Sequence, residues 1–117
     1  MTYIDGFVAA VPAANKAAYI AHANKCVPIF KKHGALRVVD SWGVEVPNGK
    51  TTSFPLAVKK KDDEVVIFSW IEWPSKEARD AGMKEVEKDP FFQSDEEFTI
   101  FDGGRMLIGG FETIVDE

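Results

Sequence analysis

A single cysteine, Cys26, stands among the 117 residues, so no disulfide forms within the chain. A lone thiol points to a reducing compartment. Long apolar runs are missing too. The N-terminal MTYIDGFVAAVPAAN is rich in alanine, but it has no basic start, carries Asp5, and ends its apolar run Phe7–Val11 at Pro12. A secretion signal is therefore not expected. No stretch approaches the length needed to span a bilayer, so no membrane partner is expected and the chain is placed in the cytoplasm. Basic charge is scarce as well: 14 Lys and Arg face 19 Asp and Glu, for a net charge of −5. Nucleic-acid binding needs a concentrated basic face. The one basic run, Lys59-Lys60-Lys61, is answered at once by Asp62-Asp63-Glu64 and reads as a solvated hairpin tip. Nucleic acid is excluded as a partner.

What is present describes an ordinary globular chain, with 45% hydrophobic and 28% charged residues. A chain of this length is expected to form one domain, residues 1–117. At 13.0 kDa it should fold to a surface of roughly 6,300 Å², from roughly 19,000 Å² unfolded. That buries enough for a core without disulfide or metal.

The pattern along the chain predicts a strand over Tyr3–Val11, stopped by Pro12. Asn15 is a good N-cap for a helix from Lys16 to about Lys32, whose apolar stripe is Tyr19, Ala23, Cys26 and Phe30. Gly34 ends it. Leu36–Val46 reads as a second strand, closed by Pro47-Asn48-Gly49, and Ser53–Lys59 as a short edge strand. Val65–Trp73 is the strongest strand. Ser75 caps a second helix running to Lys88, Phe91, Phe92 and Phe98 tuck a connector onto the core, and Arg105–Val115 is the last strand. The order β-α-β-β-β-α-β predicts a ferredoxin-like α+β fold: one antiparallel sheet with both helices on one face.

Two Gly-Gly pairs in FDGGRMLIGGF, residues 101–111, raise the question of a phosphate cradle. Phosphate loops open a helix, whereas Gly103-Gly104 precedes a strand and Gly109-Gly110 lies inside one. The first pair reads as a turn, the second as a bulge or a close backbone contact. His22, Cys26 and His33 tempt a metal reading. Cys26 and His33 are about 10 Å apart along a helix axis, too far for one ion, and structural zinc wants four ligands. No metal and no cofactor are implied. Cys26 and Ser69 lie in no nucleophile motif, and no residue is assigned a catalytic role.

The sheet itself carries the other candidates. VVIFSWIEW is apolar on both faces, although two helices cover only one. A second copy of the chain is the simplest cover for the other. Large aromatics alternate with acids on the strands, which assigns Asp5, Phe7, Asp40, Trp42, Trp70 and Glu72 to the face away from the helices. Ile4, Gly6, Val8 and Ala10 are then left to pack under them. A carboxylate desolvated there would have its pKa raised and suit acid–base work. The other reading pairs these acids with Arg37, Arg79 or Arg105 in the interface. Any ligand pocket is expected to be lined by Trp42, Trp70 and at least one of Asp40 and Glu72.

Four phrases taken together, YIDGFV, FKKHGALRVVDSWGVEVPNGK, VVIFSWIEWPSKEARD and FDGGRMLIGGFETIVDE, resemble the YbaA-like family of small uncharacterised bacterial proteins. The similarity runs over essentially the whole chain. It implies a dimeric α/β barrel, in which two ferredoxin-like sheets pack face to face, and hence a homodimer. The family-typical positions Asp5, Gly6, Phe7, Trp42, Trp70, Arg79, Asp102, Arg105 and Gly110 bring no role with them. Two functional classes follow: a small-molecule binder or cofactor-independent enzyme with a pocket between sheet and helices, Asp40 or Glu72 serving as acid or base, and an interaction protein whose aromatic face only makes the dimer.

Overall fold

The computed structural model describes residues 1–94 and 99–117. Among them, β1 (Tyr3–Pro12), α1 (Lys16–Lys32), β2 (Arg37–Trp42), α2 (Phe54–Ala57), β3 (Glu64–Trp73), α3 (Lys76–Lys88) and β4 (Leu107–Glu112) follow in order. The strands form one antiparallel sheet in the order β2-β3-β1-β4. β1 pairs with β3 from Tyr3↔Trp73 to Pro12↔Glu64. β4 lies on the other side of β1, and β2 lies on the far edge of β3. Helix α1 thus links β1 to β2 across β3, and α3 links β3 to β4 across β1. These interleaved β-α-β units are the ferredoxin-like α+β fold that the residue pattern predicts.

Local chemistry sets most boundaries. Ser75 accepts the Ala78 N–H at 3.0 Å and caps α3. Asn15 stands at the N-cap of α1, but its side chain donates to the Ile100 carbonyl instead, at 2.7 Å. The expected edge strand Ser53–Lys59 is a helical turn. Ser53 accepts the Leu56 N–H at 3.1 Å, and Pro55 sits where a helix start needs no N–H donor. The strands expected over Leu36–Val46 and Arg105–Val115 shorten to β2 and β4. Phe91 and Phe92 pack edge to face, as a connector tucked onto the core would have them, while Phe98 lies outside the described residues.

Glycine lets the layers approach. A β-carbon at Gly82 in α3 would lie 2.6 Å from Trp73 and collide with the His33 carbonyl. At Gly110 it would strike the Tyr3 hydroxyl, so this glycine of the second Gly-Gly pair marks a close approach. Gly103-Gly104 falls in a single 3-10 turn that starts at Asp102, whose carboxylate accepts the Gly104 N–H.

The two faces of the sheet are the reverse of the expected ones. Asp5 meets Arg79 of α3, and Ala9 and Val11 pack with Tyr19 of α1. Strand alternation then carries Phe7 to the helix side as well. Asp40 lies opposite Ser69 and Trp42 opposite Ile67, so both also face the helices. Only Trp70 and Glu72 of the six expected residues lie on the outer face, beside Ile4, Gly6, Val8, Ala10 and Phe68. Gly6, Val8 and Ala10 do not pack under the helices. Val58, just after α2, covers one end of the outer face at Ala10 and Val66. Further along, Phe68, Leu107 and Phe111 are 45%, 43% and 62% exposed.

Candidate functional site

Between the sheet and the two long helices lies a cavity of about 250 Å³. The stripe Tyr19, Ala23, Cys26 and Phe30 forms its α1 wall, Met83 and Val86 its α3 wall, and Phe7, Val38, Ile67 and Ile71 its floor. Phe92, Phe101 and Met106 also line it, and it is half open to solvent.

Polar groups converge at one side. The Tyr19 hydroxyl donates to Asp40 Oδ1 at 2.7 Å, and Ser69 Oγ donates to the same oxygen at 2.6 Å. The two hydroxyl oxygens are 3.4 Å apart. Tyr19 and Ser69 are buried, whereas Asp40 is exposed at the rim. Asp40 is therefore not the desolvated carboxylate expected from its apolar neighbours. It also borders an outer groove of about 320 Å³ with Lys16, Asn24, Ser41 and Trp42. The Lys16 ammonium lies 5.4 Å from the centre of the Trp42 ring there. Trp70 borders the cavity together with Asp40, as expected, whereas Trp42 lines the groove instead.

The remaining candidates have structural partners. Asp5 is buried and held by Arg79, with Nη2–Oδ1 at 3.0 Å, while Trp73 Nε1 donates to Oδ2 at 2.9 Å. Hydrogen bonding to Asp5 raises the Arg79 pKa above its ordinary value. Glu72 lies 3.7 Å from Arg37 and accepts from Trp70 Nε1 at 3.2 Å. Asp5 and Glu72 each meet an arginine of the same chain, whereas Asp40 is held by two hydroxyls. Arg105 forks onto Glu64 at 2.6 and 2.8 Å and also donates to Asp102 and the Lys59 carbonyl. It clamps the turn before β3 to the turn before β4 and lies away from the cavity. Glu64 was read as part of a solvated tip; the clamp buries it.

The clamp has a measurable consequence. Hydrogen bonding from Arg105 lowers the Glu64 pKa from 4.5 to about 2. A depressed carboxylate pKa stabilises the fold above its unfolded value, and the stabilisation disappears as pH falls from about 4.5 to about 2. The full effect is on the order of 3 kcal/mol, of which about 2 kcal/mol is lost by pH 3. Urea unfolding at pH 6 and pH 3 should show this loss in the wild type and a smaller loss in Glu64→Gln. Equal acid sensitivity of the two proteins would show that Glu64 is not the group responsible.

His22 completes the site. It is 7% exposed, borders the cavity one turn from Cys26, and stacks on Phe91 at a centroid distance of 5.1 Å. Neither ring nitrogen has a hydrogen-bond partner among the described residues. No three His, Cys, Asp or Glu side chains gather to hold a metal among those residues. The position of His22, three after Tyr19 and four before Cys26, was the available signal. It places the ring beside the apolar stripe.

Residues 2–103 match the family described as a protein of unknown function, DUF1428. The chain belongs to this family. It is 53% identical over 117 residues to the uncharacterised protein YbaA of Escherichia coli (strain K12), covering 100% of both chains. The uncharacterised YbaA of Shigella flexneri matches to the same extent. The YbaA-like resemblance carried by the four phrases is thereby established. Among solved structures, a dimeric ferredoxin-like protein from an uncultured marine organism superposes with a TM-score of 0.64 at 12% identity. The match covers 99% of this chain and 98% of that one, and it shows the fold. No helix among the described residues is long and apolar enough to cross a membrane.

Proposed function

We propose that the protein is a cytoplasmic homodimer, joined through its outer sheet face, and that each protomer binds a small, mainly apolar molecule between sheet and helices. The observation that carries the binding reading is the cavity of about 250 Å³, apolar in its walls and bordered by the Tyr19–Asp40–Ser69 cluster. Sites for small ligands have this character: an apolar enclosure with few, fixed polar groups.

Two quantities support the dimer. The single chain exposes 7554 Å², against roughly 6,300 Å² for a monomer of its mass. Its extents of 38 × 35 × 21 Å describe a slab only two layers thick. The uncovered side holds Ile4, Val8, Phe68, Trp70, Leu107 and Phe111. Two-fold pairing lets such a face cover itself and closes the assembly.

Benzene is a suitable first probe of the cavity, because apolar cavities of about 150 Å³ take it up. Methyl NMR signals of Ile67, Met83 and Val86 are expected to shift on titration, while that of Leu107 stays in place. Shifts confined to Leu107 and Ile108 would mean that the cavity is not a binding site. One observation favours a catalytic version of this reading. Asp40, fixed by two hydroxyls, borders both the cavity and the outer groove, where a carboxylate could take a proton from a bound molecule. Glu72 has no such position.

A further inference from the structure

We infer that the ligand of this cavity is an uncharged aromatic molecule carrying a hydroxyl group, and that His22 is the residue that selects it. The inference rests on the binding reading and adds the chemistry of the guest.

The starting point is an imbalance. A buried imidazole without hydrogen bonds loses its hydration and gains nothing polar in return. An apolar side chain of similar volume would serve packing better at this place in α1. Buried polar groups are normally satisfied, so this exception calls for a partner that is not part of the described chain. His22 borders the cavity, and the cavity is where such a partner has room. Both nitrogens are shielded as the ring stands, from the open space of the cavity as well as from bulk solvent. The ring therefore turns about its Cβ–Cγ bond when the guest enters, which exchanges carbons for nitrogens within the same outline.

The wall then specifies the frame and the charge. Phe7, Phe30, Phe92 and Phe101 surround the space, and aromatic guests meet such rings edge to face or offset-stacked. Among the described wall residues the charged side chains are Asp40 and Glu87, both acidic and both exposed at the rim. An anion would meet no cation there. A cation at the depth of His22 would be desolvated, with no carboxylate among the buried wall residues that are described. An uncharged guest is left. Neutral imidazole offers one N–H donor and one nitrogen acceptor. A hydroxyl matches either nitrogen, whereas a carbonyl matches only the donor.

Three probes on one frame separate the possibilities: naphthalene, 2-naphthol and 2-naphthoate, titrated calorimetrically, with methyl NMR to locate binding. The wild type should bind 2-naphthol about tenfold more tightly than naphthalene, the effect of one well-made buried hydrogen bond, and 2-naphthoate more weakly than 2-naphthol. His22→Leu should lose the preference for 2-naphthol over naphthalene. His22→Gln, which keeps a donor and an acceptor, should retain part of it. In the wild type, imidazole ¹⁵N signals of His22 should move with 2-naphthol and not with naphthalene, a readout that does not depend on any variant folding. Equal affinity for naphthalene and 2-naphthol, or a preference that survives in His22→Leu, overturns the role of His22 while leaving the cavity a binding site. Failure of all three probes to shift the cavity methyls removes the binding reading itself.

Discussion

Trp70→Asp is expected to sediment as a monomer at micromolar concentration, and the wild type at twice the mass of the chain. Trp70 lies on the outer face with its ring edge-on to Phe68, at 5.9 Å and 65° between planes. Leaving large side chains of this face in water forfeits roughly 1.5–3 kcal/mol each. A self-covering interface should exceed roughly 1,000 Å² in total. Two-fold symmetry inserts the new carboxylate twice, and each copy is desolvated without a partner. Dissociation constants should therefore rise by roughly a thousandfold or more, which corresponds to about 4 kcal/mol. Stability should fall with association, because binding and folding are linked by mass action. Ser41→Asp, on the same face of edge strand β2, is a milder control that should weaken pairing less. A wild-type protein that stays a well-folded monomer under these conditions would overturn the dimer.

The second large effect lies on the opposite face of the sheet, one register position away. Arg79→Met should destabilise the fold by about 3–5 kcal/mol, because it strands the Asp5 carboxylate in the interior. The guanidinium gives Asp5 three contacts of 3.0 to 3.2 Å and stands 5.1 Å from the centre of the Tyr3 ring. Removing both charges in Asp5→Leu/Arg79→Met should recover most of the loss, since apolar replacement of a whole buried pair is often neutral. Urea midpoints of the two variants measure the difference. A single variant that costs less than about 1 kcal/mol would show that Asp5 finds another counter-charge or takes up a proton without penalty.

These expectations depend on which side of the sheet each residue occupies, and here the residue pattern was least informative. Alternation in β1 and β3 correctly separates Asp5 and Phe7 from Gly6 and Val8, and Trp70 from Ile71. It does not say which set faces the helices when both sets are apolar. Small residues at Gly6, Val8 and Ala10 looked suited to lie under helices. They lie on the outer face, where Phe111 crosses Gly6 and α2 approaches Ala10. Arg79 decides the matter: only Asp5 on the helix side can meet a guanidinium from α3. The cavity was legible in part, since the stripe Tyr19, Ala23, Cys26 and Phe30 does line it. The cluster of Asp40, Tyr19 and Ser69 was not, because its members are 21 to 50 residues apart in sequence.

The chain by itself determined what depends on near neighbours. Strand β3 follows from its β-branched and aromatic run, α3 from Ser75 at its cap, and the turn at Gly103 from the residues around it. The element order then leaves few topologies, so the ferredoxin-like sheet followed as well. Tertiary structure decided what depends on distant partners. It turned Ser53–Lys59 into a helical turn packed near Val66, chose the side of the sheet for Asp5 and Asp40, and buried Glu64 under Arg105. It also left His22 against a cavity with no partner for either nitrogen among the described residues. The physical reason is that caps, turns and side-chain periods are local free energies, written within a few residues. The side on which an ion pair closes, or a cavity opens, is settled only when separate elements compete for the same buried space.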